Sequence, residues 1–76
     1  MAAPAGPPRG ERYSRIFRSA GNLVQRGRLA EAIALLERGA QAARQAGDDA
    51  FAAVFEAQAA QHRRELAGRS GEGDGT

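Results

Sequence analysis

The sequence contains no cysteine, no lysine and no tryptophan, and its three prolines all fall within the first eight residues. Without cysteine the chain is neither a disulfide scaffold nor a zinc-thiolate module. β-Branched residues are rare and strict alternation is absent, so no strand is expected. No apolar run approaches the roughly 20 residues a membrane-crossing helix needs. Large apolar side chains are scarce too: alanine supplies 18 residues, and only 13 large apolar side chains beyond Met1 are left for a core. At 76 residues the chain is one small domain, near the lower size limit for folding alone, and not a multi-domain enzyme.

The ends shorten the domain further. The first ten residues, MAAPAGPPRG, and the last nine, GRSGEGDGT, are expected to be a disordered arm (1–10) and a disordered glycine-rich tail (68–76), leaving 11–67 to fold. The start MAAPAGPP has neither a basic opening nor an apolar stretch of roughly 7–15 residues, so no secretory signal is expected and the cytoplasm is the default location. Charge is unevenly spread. Residues 1–28 carry six arginines against Glu11 alone, a balance of +5, whereas 29–76 carry a balance of −3, so a net +2 conceals a basic front half.

What is present points to helix. Alanine and arginine, both strong helix formers, dominate the composition. Between 12 and 26, Tyr13, Ile16, Phe17, Ala20, Leu23 and Val24 fall within one arc of a helix with 100° per residue. Arg12, Arg15, Ser19, Asn22 and Arg26 follow one flank, and Ser14, Arg18, Gly21 and Gln25 face the opposite way. Gly21, inside this run, costs roughly 1 kcal/mol relative to alanine. After Gly27 a second periodic run covers 29–46, with Leu29, Ala32, Ile33, Leu36, Ala40 and Ala43 in register and Leu35 on the shoulder. So short a join leaves room only for an antiparallel hairpin. Gly47 supplies a left-handed helix end, and Asp48 or Asp49 can cap the third helix, over 49–66. There Phe51, Val54, Phe55, Gln58, Ala59, His62 and Leu66 share a face whose apolar stripe thins toward its end, so the last turns are expected to fray or to be held by a partner. The expected fold is all-α: an antiparallel hairpin plus a third helix, forming a three-helix bundle.

The stretch Gly27-Arg28-Leu29-Ala30-Glu31-Ala32-Ile33 resembles the turn of the tetratricopeptide repeat. Ala20 matches the small residue of that family's first helix, and Ala32 and Gly39 those of the second. The resemblance implies that these three sit where the paired helices cross closely. Ile16, Leu23 and Leu36 fall at the family's large apolar positions. The sequence departs from the pattern at Ser19, where leucine is usual, and at Arg44, where a proline closes the second helix. One repeat is visible, covering roughly 13–46, with the third helix as a half-repeat or cap. Microtubule-interacting and transport domains have a similar three-helix shape, which implies binding of helical peptide motifs.

Little in the sequence suggests catalysis. His62 and Glu65 form a His-x-x-Glu pair on adjacent turns, but no second histidine or cysteine completes a ligand set, so neither a metal nor a cofactor is expected. Adjacent Asp48 and Asp49 read as helix-start acids, and Ser14 and Ser19 have no histidine at a meaningful spacing. Without strands there is no glycine-rich phosphate loop after one. An enzyme is therefore not expected.

Two surfaces invite partners. Arg9, Arg12, Arg15 and Arg18 recur every third residue, and guanidinium forks suit carboxylates, so Arg12, Arg15, Arg18 and Arg26 are the candidates for recruiting an acidic peptide segment. Ala52, Ala53, Ala57 and Ala60 give the third helix a small-residue surface that would admit another helix closely. The leading expectation is a non-catalytic adaptor that binds another protein through its helical surface. A self-associating docking domain of a larger multi-enzyme system comes second. A basic surface for nucleic acid or anionic lipid comes third, since lysines and exposed aromatics are lacking.

Overall fold

The computed structural model describes residues 9–74, with side chains from 11 to 69. It consists of three helices: α1 (Arg9–Gln25), α2 (Leu29–Gln45) and α3 (Asp49–Asp74). No strand occurs among the described residues, and no described helix is long and apolar enough to cross a membrane. The protein is a small three-helix, all-α domain. Of the arm expected over 1–10, residues 1–8 lie outside the described residues, as do residues 75–76 of the expected tail.

The two helix joins are built alike. Gly27 and Gly47 have φ of +77° and +82°, a conformation that costs glycine nothing but strains any residue with a Cβ. At the first join the amide of Gly27 donates to the Val24 carbonyl at 3.0 Å, and that of Arg28 to Leu23 at 2.8 Å. At the second, Gly47 donates to Arg44 at 3.1 Å and Asp48 to Ala43 at 2.7 Å. Both are paired reverse bonds that satisfy the last carbonyls of a helix while turning the chain back. The turns come 20 residues apart, so each closes a helix of 17 residues.

Helix ends differ from the expected ones mainly where the apolar pattern runs out. α1 begins at Arg9, directly after the last proline of the sequence, so Arg9 and Gly10 are helical. α3 continues to Asp74, eight residues past the expected end at 66. An apolar stripe reports a helix only where it has something to cover; beyond Leu66 the helix goes on without one, and no proline interrupts its ladder. The turns around His62 are helical throughout, and half-buried Leu66 packs on the core.

The core is made of Tyr13 and Ala20 from α1, Leu29, Ala32, Ile33, Leu36, Ala40 and Ala43 from α2, and Ala52, Phe55 and Ala59 from α3. Four aromatic rings tie α1 to α3. Phe17 stacks on Phe55 with centroids 4.3 Å apart, and Tyr13 meets Phe55 edge-on at 5.7 Å and Phe51 at 4.6 Å. α2 and α3 are fixed as an antiparallel pair by two ion pairs, Arg44 with Glu56 and Arg63 with Glu37. The second pair sits seven residues back on α2 and seven forward on α3, so both report one register. With side chains about half exposed, each contributes roughly 0–1 kcal/mol.

Tyr13 also locks α1 to the second turn. Its buried hydroxyl donates to Asp48 Oδ2 at 2.6 Å. Asp48 precedes α3, and its own carbonyl accepts the Ala52 amide at 3.0 Å. The expected helix-start acid therefore receives a tyrosine from another helix, while Asp49 supplies the acid of the first turn. Tyr13→Phe keeps the ring and deletes the donor. We expect a loss of about 1.5 kcal/mol, the range of a bond to a charged acceptor. In a domain this small that lowers the melting midpoint by roughly 6–12 °C. An unchanged midpoint would remove the bond from the account of how α1 is held.

Candidate interaction surface

The predicted arginines share one property that the helix pattern alone does not give. Arg12, Arg15, Arg18 and Arg26 are all exposed, and among the described residues no acid pairs with any of them. Of the other arginines, Arg28 pairs with Glu31 one turn along α2, Arg44 and Arg63 bridge to α3 and α2, and Arg38, Arg64 and Arg69 are exposed without an acid partner among the described residues. Arg28 precedes α2 without a side-chain cap bond, and Glu31 in the first turn offsets its charge at that positive helix end. What sets α1 apart is its net charge: Glu11 is its only acid against four arginines, whereas α2 is balanced and α3 is net acidic.

The predicted packing residues divide differently from the expectation. Ala20 and Ala32 are buried at 2% and 0% exposure, as residues at a close helix crossing must be. Gly39 is buried too, but its neighbour is on α3: a Cβ placed there would lie 2.8 Å from Cε1 of Phe55. The close approach at Gly39 is therefore between α2 and the third helix. Gly21 has nothing within 4 Å of where its Cβ would be, so it marks no close contact.

The alanine surface of α3 is narrower than expected. Ala52 is in the core and Ala60 is half-buried, which leaves Ala53 and Ala57 exposed. Val54, expected on the buried face, is 46% exposed. Of the two shoulders of the stripe through Phe51, Phe55 and Ala59, the Ala52 one is covered and the Val54 one is not. Sequence periodicity locates the stripe but not which shoulder a neighbour will cover.

Two grooves flank the outer ridge of α2. The larger, about 690 Å³, runs between α2 and α3; Ala40 and Ala59 lie at its base, and Glu37, Arg44, Glu56 and Arg63 line its sides. Those four charges are the two cross-helix ion pairs. The smaller, about 270 Å³, lies between α1 and α2 and is lined by Leu23, Glu31, Ala34, Leu35 and Arg38.

His62 Nδ1 lies 2.7 Å from Glu65 Oε1 on the same helix, as their spacing predicts. No group of three or more metal-capable side chains occurs among the described residues. The pair is a local contact on α3, with the histidine partly covered and the acid exposed. Sequence reasoning did not find the Tyr13–Asp48 bond or the two cross-helix ion pairs. All three need the mutual register of helices, which no local pattern contains. Set against family models, curated proteins and solved structures, the chain has no match in any of the three.

Proposed function

We propose that this domain is a non-catalytic adaptor that binds another protein through its helical surface. The observation that carries the reading is the run of exposed, unpaired Arg12, Arg15 and Arg18 on α1, the one helix with a net positive charge, with Arg26 just beyond its end, whereas Arg44 and Arg63 are paired with acids across the α2–α3 hairpin. Charges held ready for an outside group recruit carboxylates, and the arginine fork binds them in two places at once. A tetratricopeptide-like hairpin extended by half a unit is the finer fold reading that accompanies this proposal. It is supported by the Gly27 turn and by the close packing at Ala20 and Ala32. The single histidine, occupied with Glu65, supports a binding role over a catalytic one.

A labelled glutamate-rich peptide tests the proposal by fluorescence anisotropy. Binding is expected, weakening as salt rises, because exposed charges are screened over about 10 Å at 0.1 M salt. Arg12→Glu with Arg15→Glu should weaken it roughly tenfold or more, equivalent to about 1.4 kcal/mol, with the helical circular dichroism unchanged. No binding by the wild-type chain would end the proposal. A second copy of the chain is the alternative partner, favoured by exposed Val54 between exposed Ala53 and Ala57. Sedimentation equilibrium separates the two: a helical monomer is the adaptor, whereas a dimer that loses helicity on dissociation makes self-assembly the function.

A further inference from the structure

Resting on the adaptor reading, we infer that the groove between α1 and α2 is the seat for an acidic, amphipathic helix of a partner protein. Its base is aliphatic. Leu23 and Leu35, both half-buried, line the depression from opposite helices. Counting along α1 from Leu23 by helical spacing places Ser19, half-buried Ile16 and Arg12 on the same face toward the N-terminus, with Arg26 one turn the other way. Arg15 borders that face, one turn before Ser19. Across the groove, Arg38 flanks Leu35. Half-buried Ile16, Leu23 and Leu35, with exposed Ser19 and Ala34 beside them, thus form an aliphatic line bordered by arginines.

The charge of this rim is one-sided. Arg12, Arg15, Arg26 and Arg38 have no acid partner among the described residues. Glu31, the acid in the groove lining, is already held by Arg28 through both carboxylate oxygens. The larger groove between α2 and α3 offers no such excess, because its ion pairs neutralise one another and only Arg38 is left over. From Arg12 to its end at Gln25, just before Arg26, α1 rises about 20 Å, which matches a partner helix of roughly 14 residues. The occupant that satisfies both parts presents leucine-like residues every three or four positions and glutamates or aspartates on either side of them.

The same geometry disfavours other polyanions. Single-stranded nucleic acid needs exposed rings on which bases stack, but Tyr13 is buried and Phe17 is stacked on Phe55. A bilayer needs apolar side chains that protrude, and here they are recessed between two helices.

Two synthetic peptides of identical composition test the inference on the full chain: a 14-residue acidic helix with a leucine stripe, and its scramble without one. The striped peptide should bind at least tenfold tighter. Arg38→Glu and Leu35→Gln should each weaken it about tenfold or more. Arg64→Glu, at an exposed position of α3 that does not line this groove, should leave it unchanged. Circular dichroism of each variant confirms folding, and should Leu35→Gln unfold, exposed Arg38 still decides the matter. Equal affinity for stripe and scramble would overturn the groove while leaving an acid-binding adaptor standing. Failure of both peptides to bind would overturn both. Tighter binding to random single-stranded DNA, or to phosphatidylserine vesicles, would replace the protein partner with that surface.

Discussion

A Phe55→Ala variant is expected to lose cooperative folding, with a collapse of helical circular dichroism even at room temperature. Phe55 is completely buried and is the largest side chain so placed. It is the meeting point of all three helices: Phe17 and Tyr13 of α1 lie against its ring, and Gly39 of α2 gives up its side chain to admit it. Truncating a buried phenylalanine costs roughly 3–5 kcal/mol, from lost transfer energy and the cavity left behind. A domain below about 70–80 residues rarely has more than about 3–5 kcal/mol in all. The two ranges coincide, which is why unfolding, and not a lowered midpoint, is the expected outcome. A cooperative melt within a few degrees of wild type would show that the aromatic cluster does not hold the bundle together.

Gly39→Leu should be nearly as damaging, and Gly21→Leu should not. Both glycines lie inside helices and both substitutions raise helix propensity, by up to about 1 kcal/mol. Only the surroundings differ. At Gly39 the first added carbon already meets the Phe55 ring at 2.8 Å, and that ring is confined by Phe17 stacked at 4.3 Å. Overpacking there is expected to cost roughly 3 kcal/mol, the upper end for insertions into a filled core. At Gly21 nothing lies within 4 Å, so the propensity gain is felt undiminished and the melting midpoint should rise. Thermal melts of the two variants, run side by side, read the difference directly. If both shift the same way, packing against Phe55 is not what keeps position 39 bare.

Much of this architecture is legible in the sequence because it is local. Gly27 and Gly47 announce their turns, since only glycine takes a positive φ without strain, and α2 falls between them almost to the residue. The unpaired arginines are likewise visible as a charge imbalance. What is not legible depends on how helices slide and rotate against one another. Gly39 reads as a contact within the first hairpin and is a contact with α3. Val54 is more apolar than Ala52, so a pattern weighted by hydrophobicity places it inside, whereas in the fold the alanine is buried and the valine is exposed. Arg44 and Glu56, or Glu37 and Arg63, look like solvated surface until the antiparallel register brings each arginine to its acid.

Six of the eleven buried core residues are alanines, and that choice sets the temperature response of the domain. Alanine surrenders no rotamers on burial, so ordering this core costs less than ordering one built of leucine and methionine. It also conceals little apolar area. The heat-capacity increment on unfolding scales with that area, and here it should fall below the usual value of about 12–15 cal/mol/K per residue. A small increment flattens the curve of stability against temperature. Such a domain never becomes very stable, but it loses little of what it has on cooling, and its folded fraction varies only gently with temperature.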